Sequence, residues 1–232
     1  MYNETTPLPE IDFSESTFCN KIDFADTTFG GTADFTKSTF ENEVRFNYAV
    51  FNEAIFFRTT FKNDTFFYQA SFKKTNFEGA SFNKFTGFTN TKFNSRAIFD
   101  KATFSDQTLF KYAIFSFDEK STSNLNDKEK QFVSFSDTTF RGDTLFEDIV
   151  FDYEANFSES KVLDKGIITF RRTHFNEHAT FNDMLVDGRL ALHGLQKKHE
   201  TIFSNGAEMK HMAIEGTLVL DGANLEKVSF LM

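Results

Sequence analysis

Metal coordination is the first chemistry to test, because all five histidines, His174, His178, His193, His199 and His211, fall in the last third of the chain. Their spacing does not converge. His174 precedes Phe175, an inward position, and should point outward, while His178 lies in the turn that follows, so no shared coordination geometry arises. Cys19 has no histidine within reach to act as its base and reads as an ordinary thiol. Gly30 and Gly31, like the other glycines, stand at turn positions and match no phosphate-binding motif. Carboxylates are abundant but fall on outward positions, where solvated charge is the default reading. No catalytic, cofactor-binding or metal-ligating residue is therefore expected, no cofactor, and no enzyme.

The elements that would have to position such residues are dominated by one residue type. The 232 residues include 35 Phe, 5 Tyr and no Trp, yet the mean hydropathy is −0.39, so phenylalanine carries the core of an otherwise polar chain. Phe recurs at Phe13, Phe18, Phe24, Phe29, Phe35, Phe40, Phe46 and Phe51, with spacings alternating five and six. The alternation returns from Phe88 to Phe115 and from Phe135 to Phe157; between Phe51 and Phe82 the spacing is nearer five, and the doublets Phe56-Phe57 and Phe66-Phe67 leave the register open there. A second column two residues before each Phe is small, as at Ser16, Thr27, Ala33, Ser38, Ala49 and Ala54. In extended chain, residues i and i−2 share a side, so each unit turns one small and one large group inward. Apolar residues every five or six form no stripe at 3.6 residues per turn, which excludes a helix. After Pro7 and Pro9 the chain has no proline, which suits a continuous hydrogen-bonded ladder.

These units resemble the pentapeptide-repeat family, whose unit is a small residue, any residue, a central Leu or Phe, then two polar ones. Ala70-Ser71-Phe72-Lys73-Lys74, Ala80-Ser81-Phe82-Asn83-Lys84 and Ala223-Asn224-Leu225-Glu226-Lys227 match it closely. The resemblance implies an all-β, right-handed quadrilateral β-helix with four units per coil. A sixth residue in every second unit looks like the eleven-residue, Phe-rich variant. The stations count to about eight coils and a rod about 40 Å long at ~4.8 Å per coil. Residues 1–12 read as an N-terminal leader and 13–232 as a single solenoid domain.

The repeat breaks in three places. Residues 118–131 lack a Phe station and read as an ejected loop, a tolerated insertion or a binding element. Between Ser158 and Thr169, Leu163 and Ile168 stand as candidate replacements for Phe. From 183 to 211 the pattern nearly vanishes, leaving either leucine-based coils or a short helical interruption, with Gly188 and Gly194 arguing against a long helix. Ile214, Leu220, Leu225 and Phe230 look like resumed stations. The apolar end at Phe230, Leu231 and Met232 needs covering, and a homodimer through that end is one way to cover it.

Thr recurs before Phe at Thr17, Thr28, Thr39, Thr60, Thr103, Thr139 and Thr180, but Val50, Ser71, Lys92, Ile98, Leu109 and Ile114 interrupt it, and ordinary β-propensity accounts for the pattern.

Composition narrows the function classes. A net charge of −9 disfavours direct nucleic-acid binding. A single cysteine makes a reducing compartment the default, and the start of the chain shows no secretory pattern. No run approaches the ~18 apolar residues of a membrane span, so a cytoplasmic location is expected. The leading expectation is a non-enzymatic protein-interaction or structural scaffold with a protein partner. The alternative implied by the resemblance is a DNA mimic that binds DNA gyrase or topoisomerase IV. The 25 Lys and Arg interspersed among 34 Asp and Glu show no uniformly anionic stripe in its favour.

Overall fold

The computed structural model describes residues 7–116, 132–193 and 200–231. Among these every element is a strand and every pairing is parallel, in one sheet of sixteen strands and two of nine. The described residues wind through nine coils and begin a tenth, one coil more than the station count suggests, because Val186, Leu192, Phe203 and Met209 take stations within 183–211. Each coil has four faces, numbered here in chain order; in the second coil they centre on Phe35, Phe40, Phe46 and Phe51.

Ring stacking holds the coils in register. On the first face Phe35, Phe56, Phe77 and Phe99 stack with centroids 4.9, 4.7 and 5.0 Å apart and planes within 8° of parallel. Between faces the rings meet edge to face, as Phe77 meets Phe88 at 5.8 Å and 79°. Both arrangements are those an aromatic quadrupole favours. Phe56 and Phe67 take the core positions of the two doublets, while Phe57 and Phe66 are partly exposed.

Corners come in two kinds, and this explains the alternating spacing. From face one to two, and from three to four, five residues suffice. The Phe carbonyl accepts a hydrogen bond from the small residue three positions on, as Ser38 N–H to Phe35 O at 3.0 Å, and the residue between has positive φ, as Lys37 at 55° and Asp26 at 59°. This is a type II turn. The residue before Phe often caps it, as Asp34 accepts from Thr36 N–H at 2.8 Å. From face two to three a sixth residue is inserted. From face four to one the chain in β7 (Val50–Ile55) and β10 (Ser71–Asn76) rounds the corner as one strand, so faces four and one merge into the sixteen-stranded sheet.

The small column does more than make room. Thr59, Thr91, Thr138 and Thr173 are buried, and each hydroxyl donates to a Phe carbonyl one coil earlier: Phe35, Phe67, Phe99 and Phe146, at 2.6 to 3.0 Å. A buried hydroxyl without such a partner would destabilise the fold.

The leader joins the solenoid at its first coil. Leu8 bridges Phe29 in parallel, and its carbonyl accepts from Gly30 N–H at 2.8 Å. Glycine is required there: a Cβ on Gly31 would lie 2.5 Å from Glu10 N.

The degenerate segments keep the winding. At 158–169 the inward station is Val162 rather than Leu163, and Ile168 occupies the place two before Phe170. The described part of 183–211 is strand, in β27 (Leu185–Val186), β28 (Arg189–His193), β29 (Thr201–Phe203) and β30 (Ala207–Lys210). The loop at 118–131 lies outside the described residues.

Candidate interaction surface

The residues singled out for chemistry do not come together. His174 is exposed beside buried Phe175, His178 and His193 lie on separate corners, His211 faces Asp183 at 3.7 Å, and His199 is outside the described residues. No group of three or more His, Cys, Asp or Glu among the described residues could hold a metal. Cys19 is free and exposed, and the Gly30-Gly31 pair serves the leader.

Sorting residues by face reveals a ladder hidden in the sequence. Thr17, Thr39, Thr60, Ser81, Thr103 and Thr139 are successive partners on the second face, an unbroken single file of outward hydroxyls. The supposed interruptions belong elsewhere: Val50, Ser71, Lys92 and Ile114 to face four, Ile98 to face one, Leu109 to face three. Threonine suits such a file because its branched side chain packs well on a pleated surface.

Face four carries the more unusual surface. Five of the eight most exposed large hydrophobics among the described residues, Tyr48, Val50, Tyr68, Tyr112 and Ile114, gather on this face and its corner with face three. Val50, Ser71, Lys92 and Ile114 are successive cross-strand partners. Beside them the corner positions run Tyr48, Gln69, Asn90, Tyr112. Aromatic and branched residues thus stand at coils two and five, and Gln69, Ser71, Asn90 and Lys92 floor a concavity of about 390 Å³ below Tyr112 and Ile114. Tyr48 stands edge-on to Tyr68 at 5.4 Å.

Two of these tyrosines occupy strained backbone. Tyr48 has φ 60° and Tyr112 φ 56°, at the turn position that Gly, Asn or Asp takes at least cost. The same position at other corners holds Asp26, Lys37, Arg58, Gln69 and Asn90 with the same φ, so the repeat sets this backbone and leaves the choice of side chain to the surface.

A charged cluster fixes the upper end of the patch. Glu147, only 4% exposed, receives Arg171 at 2.7 Å, Arg172 at 2.6 Å and Lys111 at 3.3 Å. Burial alone would raise its pKa, but hydrogen bonds from Arg171 and Arg172 outweigh that and hold the carboxyl below its ordinary value. Asp148 pairs with Arg172 on the same corner. Lys111 also lies over the Tyr112 ring, 5.1 Å from its centroid, which supports that aromatic side chain against the corner.

Charge is sorted along the rod rather than by face. Residues 1–55 carry ten Asp or Glu and three Lys or Arg, whereas residues 56–98, the third and fourth coils, carry two and seven. A basic belt therefore surrounds the middle of the patch on a chain that is acidic as a whole.

Comparison with known proteins places the repeat. A family model for pentapeptide repeats, in nine copies, matches residues 24–71 and 67–114. No curated protein matches the chain. Two solved structures of QnrB1, a plasmid-mediated fluoroquinolone resistance protein, are similar to it at 15% identity. One covers 97% of this chain and 92% of its own with a TM-score of 0.37; the other covers 90% and 89% with a TM-score of 0.30. Residues 24–114 are thus matched as pentapeptide repeats, and the coils on either side continue the same parallel winding.

Proposed function

We propose that this pentapeptide-repeat scaffold works without catalysis, docking a protein partner across face four through Tyr48, Val50, Tyr68, Tyr112 and Ile114. The observation that carries this reading is the concentration of exposed aromatic and branched side chains on one edge. Tyrosine supplies large contact area with a polar tip and is enriched where protein interfaces concentrate their energy. Replacing Tyr112 by the photo-crosslinker p-benzoylphenylalanine tests it directly. The expected outcome is a cross-linked partner band at that position and none with the same replacement at Thr103 on face two; equal labelling at both would defeat the reading.

A second reading, binding to a type II topoisomerase, is favoured by one observation, the acidic first two coils. The basic belt above them breaks any continuous anionic face, which a mimic of duplex DNA requires. Inhibition of gyrase supercoiling by the purified chain at stoichiometric concentration, relieved by neutralising Glu41, Glu43 and Glu53, would favour this reading over the first.

A further inference from the structure

Face three has a concavity of its own, separate from the tyrosine patch. It measures about 330 Å³ and spans the fifth to eighth coils. Its apolar lining is Leu109, Leu145 and Ile167; its cations are Arg171 and Arg189, with the imidazole of His193 beside them; Asp143 is the one carboxylate among the described residues that line it. Strands β24 (Ile167–Arg171) and β28 (Arg189–His193) set this arrangement, with Ile167 opposite Arg189 and Arg171 opposite His193.

The two arginines leave donors unused. Arg141, Arg171 and Arg172, the other arginines of these coils, each meet a carboxylate, but Arg189 has no ion pair among the described residues. The Nε–H groups of both Arg171 and Arg189 are shielded from solvent and have no hydrogen-bond partner among the described residues, so a ligand meets the outer N–H groups, of which Arg171 already gives one to Glu147. Ala191, between the two arginines on an outward position of β28, is completely buried. A guanidinium keeps its charge at any ordinary pH and presents its N–H groups in a fork suited to oxyanions.

We propose that this concavity binds a small organic anion, its phosphate or carboxylate group held by the outer N–H groups of the partly exposed Arg189 guanidinium beside Arg171, and its apolar body resting on Leu109, Leu145 and Ile167. The volume sits at the lower end of the ~300–1,000 Å³ typical of small-molecule sites, which suits an aromatic or short aliphatic acid rather than a polymer. Asp143 disfavours a bare multivalent anion, so the apolar body contributes much of the affinity.

The full chain is titrated calorimetrically with phenyl phosphate, benzoate and inorganic phosphate. At least one organic probe is expected to bind saturably, at least tenfold more tightly than inorganic phosphate, and whichever of the two binds better identifies the head group. Arg189→Gln should weaken that probe at least tenfold, and Arg189→Lys, which keeps the charge but loses the fork, should weaken it less. Circular dichroism confirms that each variant keeps its strand signal, and Leu145→Asn supplies a second variant that removes apolar contact without touching the arginines. The proposal is overturned if neither organic probe saturates below about 10 mM, an affinity weaker than ~3 kcal/mol of binding, or if Arg189→Gln and Leu145→Asn bind as well as the unaltered chain. A chain that binds no probe and is stabilised by Arg189→Gln would mark Arg189 as a surface cation without a ligand and equally overturn it.

Discussion

At the residue scale the fold rests on aromatic rings that touch only their neighbours above, below and across the coil. Phe77 is completely buried, stacked 4.7 Å from Phe56 and 5.0 Å from Phe99, so Phe77→Ala removes two stacked contacts and leaves a cavity that adjacent coils cannot close. It should cost about 3–5 kcal/mol, measured by equilibrium urea denaturation; a loss below about 1 kcal/mol would contradict the stacked-core account. Asp100 makes a different case. Burial raises its pKa, only partly offset by hydrogen bonds from Ser134 Oγ and Ser136 N. A carboxyl whose folded pKa is raised contributes stability below its unfolded pKa and loses it as pH rises through the folded value. Asp100→Asn keeps the acceptor oxygen and removes the buried charge. It should raise the melting temperature at pH 7, with the gain fading below pH ~4; a gain independent of pH would contradict the assignment. The inward Phe residues were legible because folding needs each of them, whereas the choice between Phe56 and Phe57, or Phe66 and Phe67, was not, since either spacing satisfies a local repeat.

At the element scale the corners decide what the sequence reveals. The rise from one coil to the next takes 21 residues from Phe35 to Phe56, 22 from Phe77 to Phe99 and 24 from Phe157 to Phe181. With no constant period, a residue cannot be assigned to a face until the strands are registered, and for this reason the ladder from Thr17 to Thr139 looked broken by residues of three other faces. The tyrosine patch stayed hidden for the same reason, because Tyr48 and Tyr112 are three coils and 64 residues apart. Numbering each residue from its own Phe station would have shown Tyr48 and Tyr112 both two places after a third-face Phe. The corner from face two to three makes its own demand: a Cβ on Gly188 would lie 2.0 Å from Gly166 O in the coil below, and one on Gly216 2.0 Å from Gly188 O. Gly188→Ala should therefore force two coils apart and lower stability by about 2 kcal/mol or more. Chemical denaturation would read this, and hydrogen exchange should show the loss concentrated in the last three coils; a neutral substitution would contradict the close stacking at this corner.

At the scale of the whole molecule, a nearest-neighbour rod makes each outward face an independent surface, because a side chain on one face can be changed without touching the columns that hold the coils. That separation lets the second face carry a hydroxyl file, the third a cationic concavity and the fourth a tyrosine-rich edge, all on one repeat, while charge changes sign along the axis. The docking account depends on it. Capture of partners from extracts of the cells that make this protein, with quantitative mass spectrometry, should compare three baits: the unaltered chain, a face-four variant carrying Tyr112→Ala with Ile114→Lys, and a face-two variant carrying Thr60→Lys with Thr103→Lys. The account predicts a stoichiometric protein partner retained by the unaltered chain and the face-two variant and reduced at least tenfold, about 1.4 kcal/mol of binding, on the face-four variant. Equal retention by all three baits, or no partner on the unaltered chain, would contradict it.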